Sequence, residues 1–213
     1  MDLQISKQSL KGLFSALKET LTRDVAEPIA RKLGKSTAEL INTKGQIEIE
    51  GRFIASNINI TNSLIKDNIA FKESIEQMAK KVEKLAFNKI GAIESRGFIF
   101  ASALSYKLSK PLILMRKKDK LPAEKHSVNF ELEYGKSTLE MHKDSINKDE
   151  KVIIVDDLIA TGGTAEASAK LVEKSEGKVE GFLFIINLFD LGGINLLNKK
   201  GYKTYSLMDF PGH

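Results

Sequence analysis

The sequence contains no cysteine, no long apolar run and no recognisable leader. Without cysteine, the chain has neither a disulfide framework nor a thiolate metal site, which fits a reducing compartment. No uninterrupted apolar run approaches the ~20 residues that a membrane helix needs. The opening residues, MDLQISKQSLKGLF, lack the basic segment and long apolar core of a signal peptide. These absences indicate a cytoplasmic protein without a membrane partner.

Charge is nearly balanced over the chain. Its 213 residues include 33 basic and 28 acidic ones, a net charge of +5, and 42% are hydrophobic. This composition is typical of a soluble globular protein with one ordinary domain. A mild basic excess attracts an anionic ligand. It is too small to indicate nucleic acid, and the sequence has no basic stripe with interleaved aromatic residues, so we expect no nucleic-acid partner.

The N-terminal part differs in pattern from the rest. Leu10, Leu13, Leu17 and Leu21 fall three or four residues apart, which predicts a helical extension over residues 1–45. Its apolar stripe favours packing against another surface. The main domain is expected over residues 46–213. It begins with QIEIEGRFI, residues 46–54, whose alternation predicts a half-exposed strand.

Short apolar runs alternate with helical patterns through the main domain. This alternation predicts an α/β fold with a mostly parallel, twisted sheet flanked by helices. A polar stretch over residues 119–146 predicts a loop or hairpin. The apolar runs are IGAI, PLILM, KVIIV, GFLFIIN and YKTYSLM, and the helical segments are residues 68–87, 98–108, 165–177 and 194–201.

Three of the predicted strands end in charged or glycine-rich turns, at residues 94–97, 116–118 and 156–164. Ligands of open parallel sheets bind at the carboxyl ends of the strands. One site built from these three turns is therefore the simplest hypothesis.

The turn at residues 160–164 reads ATGGT and stands between a strand and a helix. Glycines allow backbone amides to approach a ligand, and the helix start adds unpaired amides and a positive dipole end. The pattern indicates a phosphate site. It matches neither the P-loop, which needs GxxxxGK[ST], nor the dinucleotide fingerprint GxGxxG. A plain turn with two glycines is the simpler alternative.

Asp156 and Asp157 precede this turn, separated from it by a short apolar step. Adjacent, partly desolvated carboxylates repel each other unless hydroxyls, cations or amides compensate. They could accept hydrogen bonds from vicinal sugar hydroxyls, directly or near Mg²⁺, whereas the alternative is a turn cap beside a solvated acid. Next to a phosphate site, the pair indicates a ribose 5-phosphate.

The other two turns are cationic. Arg96 can bind phosphate oxygens in a bidentate manner, and Arg116, Lys117 and Lys120 follow the next strand. A pyrophosphate with bound Mg²⁺ would suit these charges, although a solvated charge run is the ordinary meaning of such a cluster.

These motifs together resemble a known family. VIIVDDLIATGGT resembles the phosphoribosyl pyrophosphate signature of the type I phosphoribosyltransferases. ESRGF, LMRKKDKLP and FELEYGKSTLEMHKDSI resemble, in order and spacing, the adenine phosphoribosyltransferases. The similarity extends over residues 90–186 and, more weakly, over residues 60–67. It implies a sheet with a small hood over the base, a homodimer, and the conversion of adenine and phosphoribosyl pyrophosphate to AMP and pyrophosphate with Mg²⁺.

The resemblance also implies a role for each motif. Mg²⁺ would be held mainly by the substrate and water, and Lys120 would reach the neighbouring subunit's site. Arg96 would belong to both the catalytic and the pyrophosphate-binding residues. The implied groups are Ala160, Thr161, Gly162, Gly163 and Thr164 for the 5-phosphate; Asp156 and Asp157 for the ribose; Ser95, Arg96, Arg116, Lys117 and Lys120 for pyrophosphate; Leu188 for the base; and Glu133 or Tyr134, in a mobile loop over residues 121–135, for proton movement.

The sequence departs from the family on the base side. Where the family carries FPxPG running into FRDIT, this chain reads GRFIASNINIT, and the usual Glu-Leu after the penultimate strand is Asn187-Leu188. Transfer to hypoxanthine, guanine or xanthine therefore stays open as an alternative. So does a non-catalytic regulator that senses the same sugar phosphate.

Overall fold

The computed structural model describes the backbone of residues 53–132 and 135–212. These residues fall into two compact units, residues 53–71 and residues 72–212. The predicted extension over residues 1–45 lies outside the described part, as do Glu133 and Tyr134. Within that part, no helix is both long and apolar enough to cross a membrane.

The first unit is helical. Helix α1 (Phe53–Lys66) occupies most of it, and helix α2 (Asn68–Val82) begins in it. The Asp67 carboxylate accepts hydrogen bonds from the amides of Ile69 and Ala70, both at 2.9 Å, and so caps α2. The strand predicted through residue 54 is wrong at Phe53 and Ile54, which start α1. The alternation of residues 46–54 predicts a strand, but Ile54, Ile58 and Ile65 also have the spacing of one helix face. At Phe53 and Ile54 the helix forms.

The second unit is built on a sheet of seven strands, counted over the described residues. Its order is β3-β4-β2-β1-β5-β6-β7. Neighbours from β2 to β7 in this order pair in parallel, and β3 and β4 form an antiparallel hairpin at one edge. The strands are β1 (Lys89–Ile93), β2 (Leu112–Lys117), β3 (Lys125–Leu132), β4 (Gly135–His142), β5 (Lys151–Ile159), β6 (Lys178–Leu188) and β7 (Thr204–Phe210).

Helices connect the parallel strands. Helix α3 (Gly97–Leu108) packs against β1, β2 and β5, and α4 (Gly163–Lys174) packs against β3 to β6. A short helix, α5 (Gly193–Lys199), joins β6 to β7. The predicted α/β fold, with its hairpin and its mostly parallel sheet, is confirmed.

The central strands form the core because they are covered by helices. Residues 152–155 of β5 are fully buried, and the rings of Phe182 and Phe184 in β6 stack with centroids 6.0 Å apart. In β1, β2 and β5, charged residues follow the apolar run at or near the carboxyl end of the strand. In the β5–β6 register, Ile159 pairs with Asn187, so the turns that follow these strands emerge side by side.

Candidate active site

The carboxyl ends of β2, β1, β5 and β6 lie next to one another in the sheet. The segments at residues 94–97, 116–118 and 156–164 therefore lie at one edge, as the sequence predicts. The predicted turns at 116–118 and 156–164 start too early, because residues 116–117 still belong to β2 and residues 156–159 to β5. A fourth turn, residues 189–193 after β6, joins them. The first three segments carry the predicted ribose, phosphate and pyrophosphate residues.

An ion pair joins the first of these turns to the strand end of β5. Arg96 Nε lies 2.5 Å from Asp157 Oδ2, and the Asp157 side chain is only 5% exposed. Arg96 immediately precedes α3. The guanidinium that the sequence assigns to pyrophosphate is thus fixed beside the carboxylate assigned to ribose.

Asp156 has a different environment from its neighbour. Its Oδ1 accepts the amide hydrogen of Asp157 at 2.8 Å. Desolvation of the Asp156 carboxyl and then the charge of Asp157 raise its pKa well above the ordinary value. A carboxylate in this position is electrostatically unsatisfied, and it gains from ligand hydroxyls or a nearby cation.

Gly97 brings α3 onto the end of β5. A Cβ at this position would lie 2.8 Å from Asp156 Oδ1 and 2.9 Å from the Val155 carbonyl oxygen. The absence of a side chain therefore permits the close approach that places Arg96 beside Asp157. The peptide bond between Glu94 and Ser95, just before Arg96, is cis, and the Ser95 side chain is exposed.

The phosphate turn begins at Ala160 and leads into α4. Gly162 precedes the helix with φ +88°, a left-handed conformation that favours glycine. The first helical hydrogen bond runs from the Glu166 amide to the Gly162 carbonyl, at 2.8 Å. The amides of residues 163–165 consequently have no acceptor inside the helix. They and the helix dipole form a site suited to a phosphate.

Glu94 organises the cationic end of β2, a role that sequence patterns did not suggest. Its Oε2 accepts the Lys117 amide at 2.8 Å and lies 3.3 Å from Arg116 Nε. Arg116 Nη1 also donates to the Lys120 carbonyl at 3.2 Å. Arg116 is thus held by protein groups, whereas the Lys117 and Lys120 side chains are exposed.

Glu140 of β4 fixes the turn that follows β2. Its buried carboxylate lies 3.0 Å from Lys125 Nζ and accepts hydrogen bonds from the Asp119 amide at 3.0 Å and from Ser127 Oγ at 3.3 Å. Although desolvation opposes it, these contacts lower the pKa of Glu140. The β3–β4 hairpin is thereby tied to the segment that carries Lys117 and Lys120.

The predicted base and proton-transfer residues are less closely tied to this cluster. Leu188 is the last residue of β6 and is 1% exposed. Glu133 and Tyr134 lie outside the described residues, but β3 and β4 flank them, with Leu132 paired to Gly135. The roles of these three residues stay predictions.

Comparison with known proteins identifies relatives that match most of the chain. The family model described as "Phosphoribosyl transferase domain" matches residues 61–187. An adenine phosphoribosyltransferase of Pelagibacter ubique (strain HTCC1062) is 65% identical over 151 residues, 71% of this chain and 86% of that protein.

Two crystal structures of adenine phosphoribosyltransferases are also similar. The enzyme from Thermoanaerobacter pseudethanolicus is 47% identical with a TM-score of 0.67, and the match covers 69% of this chain and 84% of that one. The Saccharomyces cerevisiae enzyme, complexed with an imino-altritol bisphosphate and adenine, is 32% identical with a TM-score of 0.62. That match covers 68% of this chain and 83% of the yeast chain.

Proposed function

The chain belongs to the adenine phosphoribosyltransferase family, and we propose that it transfers the 5-phosphoribosyl group of phosphoribosyl pyrophosphate to adenine, a step of purine salvage. The products are AMP and pyrophosphate. One observation carries the proposal from the structure itself. Strand β5 carries Asp156 and Asp157, ends at Ile159, and is followed by the glycine turn and the start of α4. Acceptors for sugar hydroxyls and donors for a phosphate therefore lie within one short segment.

The 5-phosphate would bind at residues 160–164. The unpaired amides of the first turn of α4 donate hydrogen bonds to its oxygens, and the positive end of the helix dipole favours its charge. Thr161 is exposed and Gly162 is buried beneath it. The hydroxyls of Thr161 and Thr164 add donors of the kind that a phosphate accepts.

The ribose would bind at the two aspartates. Asp156 and Asp157 accept hydrogen bonds from the vicinal hydroxyls, which relieves the electrostatic cost of their adjacency. Breaking the anomeric C–O bond builds positive charge on the ribose. Fixed carboxylates near that ring stabilise the charge without reorganising.

The pyrophosphate would leave on the cationic side. Negative charge builds on it as the bond breaks, and Ser95, Arg96, Arg116 and Lys117 offer hydrogen-bond donors there. Arg116 must exchange part of its contact with Glu94 for the leaving group, because its Nε lies 3.3 Å from Glu94 Oε2. Lys117 is free to turn toward the ligand because its side chain is exposed.

Magnesium fits this site as a companion of the substrate. Among the described residues, no group of three or more histidine or acidic side chains could hold a metal ion. Arg96 pairs with Asp157 and acts on Asp156 only through its charge. A divalent cation held by pyrophosphate oxygens and water would therefore relieve the repulsion between the two aspartates. When bound, Mg²⁺ neutralises charge on the departing pyrophosphate.

The base side is proposed from the family pattern. Leu188 would pack on the purine, and Glu133 or Tyr134, at the tip of the β3–β4 hairpin, would assist proton movement at adenine. A hairpin over the site keeps out water that would otherwise hydrolyse the activated sugar.

A homodimer in the cytoplasm completes the proposal. Leu114 is 40% exposed on β2 and lines a cavity of about 360 Å³ together with Leu121, Pro122, Arg116 and Lys120. A second copy covering this partly apolar, partly cationic surface would bring Lys120 toward the partner's site. Light scattering during gel filtration tests the dimer, and a monomer at micromolar concentration contradicts it. The proposed cytoplasmic location rests on the absence of cysteine, which fits a reducing compartment.

The test of function is chemical. Purified full-length protein, given adenine, phosphoribosyl pyrophosphate and MgCl₂, is expected to release AMP and pyrophosphate in equal amounts. Protein that binds phosphoribosyl pyrophosphate but converts no purine contradicts the proposal and favours a sensing role.

A further inference from the structure

The turn after β6, residues 189–193, is tied to the phosphate turn by a backbone hydrogen bond. The amide of Gly193 donates to the carbonyl oxygen of Ala160 at 2.9 Å. Gly193 is the first residue of α5, and Ala160 is the first residue after β5. This hydrogen bond therefore connects the segment that follows Leu188 with the segment that would hold the 5-phosphate.

This hydrogen bond fixes the orientation of one peptide group. The Ala160–Thr161 peptide is planar and trans, so its C=O and N–H point in opposite directions. Because the carbonyl points at Gly193, the Thr161 N–H points away from α5. A flip of this peptide would break the hydrogen bond and turn the Thr161 N–H toward the protein.

The two turns fit together only because both lack side chains at the point of contact. A Cβ on Gly193 would collide with the Ala160 carbonyl oxygen and lie 2.9 Å from the Gly162 nitrogen. A Cβ on Gly162 would lie 3.1 Å from Gly193 Cα and 3.2 Å from Leu196 Cδ2. Even the smallest side chain on Gly193 must therefore displace the Ala160–Thr161 peptide.

We infer that Gly193 is a positioning residue for the 5-phosphate: its amide holds the Ala160–Thr161 peptide so that the Thr161 N–H donates to the phosphate of the substrate and product. This inference rests on the proposed function, because it needs a phosphate at residues 160–164. It assigns a role in that site to the turn after β6, which touches the phosphate turn and belongs to a different strand connection.

A purely structural role for Gly193 makes different predictions. If Gly193 serves close packing alone, its substitution would lower the stability of the protein and leave the ratio of the AMP and adenine affinities unchanged. If Gly193 positions one phosphate donor, its substitution would weaken the binding of ligands that carry the 5-phosphate and leave the binding of the free base unchanged. AMP and adenine are therefore the informative pair of probes.

The variant for this test is Gly193→Ala, with Gly192→Asn as a matched control in the same turn. Gly192 has φ +75°, a conformation that asparagine tolerates, and a Cβ there would meet nothing within 4 Å. By calorimetry, we expect Gly193→Ala to bind AMP at least about tenfold more weakly, since a hydrogen bond to a charged group is lost, with adenine affinity unchanged. Gly192→Asn should bind both as the wild type does. A folded Gly193→Ala with wild-type affinity for AMP overturns the inference.

A second measurement needs no variant. In ¹⁵N-labelled wild-type protein, ribose 5-phosphate is expected to shift the amide resonances of Thr161, Gly163 and Thr164, while the Gly193 amide exchanges slowly with solvent. If Gly163 and Thr164 shift but Thr161 does not, the positioning role of Gly193 is wrong and the phosphate site stands. If none of the three shifts, the proposed phosphate site is wrong.

Discussion

Arg96 Nε lies 2.5 Å from Asp157 Oδ2 and thereby joins the turn after β1 to the carboxyl end of β5. The Asp157 side chain is almost fully buried, and that of Arg96 is 34% exposed. The pair places a cation assigned to the leaving group next to an anion assigned to the sugar. Opposite charges that develop on the two halves of the substrate would each find a fixed partner here.

The Arg96–Asp157 pair should contribute measurably to stability. Arg96→Gln leaves Asp157 without its cation, and we expect a loss of about 1–3 kcal/mol in the free energy of unfolding. In a double-mutant cycle with Asp157→Asn, the coupling should be about 1 kcal/mol. Urea unfolding of the four proteins measures it, and strictly additive losses would show that the pair contributes nothing.

Asp156 should make stability depend on pH. Desolvation, followed by the Asp157 charge, raises its pKa well above 3.8. The folded state keeps this proton at pH values where the unfolded chain has lost it, so the raised pKa costs stability as pH rises through that window. Asp156→Asn lacks the cost, so its stability relative to wild type should increase as pH rises above the ordinary carboxyl pKa of 3.8. A difference that stays constant with pH, measured by urea unfolding, contradicts the assignment.

The two aspartates should matter far more for catalysis than for folding. Replacing both, as Asp156→Asn with Asp157→Asn, removes the charge beside the developing ribose cation. We expect kcat/KM for phosphoribosyl pyrophosphate to fall about 100-fold or more. Fold stability should stay near that of the wild type, because relief at position 156 offsets the loss at position 157. Steady-state kinetics with circular dichroism measures both, and unchanged kinetics would rule out the ribose role.

Glu140 should be important for stability because its carboxylate is buried and has three partners. Glu140→Gln weakens the contacts to Lys125, the Asp119 amide and Ser127, at an expected cost of about 1–3 kcal/mol at neutral pH. Glu124→Gln is the matched control, since Glu124 pairs with Lys143 at an exposed site and should change stability by less than about 0.5 kcal/mol. Equal effects of the two substitutions, measured by urea unfolding, contradict the anchoring role.

The phosphoribosyl half of the site could be predicted from local patterns. The stretch KVIIVDDLIATGGT predicts a buried strand, a pair of acids and a glycine turn within fourteen consecutive residues. Spacing of this kind is visible because strand, turn and helix follow one another in the chain. The structure confirms the strand, the glycine turn and the helix in this order, but β5 continues through the two acids to Ile159.

Contacts between distant segments could not be predicted in the same way. Arg96 and Asp157 are 61 residues apart in sequence, and no periodicity reports which side chains meet across a sheet. The hydrogen bond from Gly193 to Ala160 cannot be predicted from the sequence either, although the glycine pair 192–193, separated from the end of β6 by three residues, was a usable signal. At residues 53–54, alternation and helical spacing overlap, and the helix prevails.

The identity of the base tests the central claim most directly. Purified enzyme with phosphoribosyl pyrophosphate and MgCl₂ should be assayed in parallel with adenine, hypoxanthine, guanine and xanthine. We expect kcat/KM for adenine to exceed that for each other base by at least about 100-fold, with AMP as the product. A higher kcat/KM for any of the other three bases would contradict adenine phosphoribosyl transfer as the function of this chain.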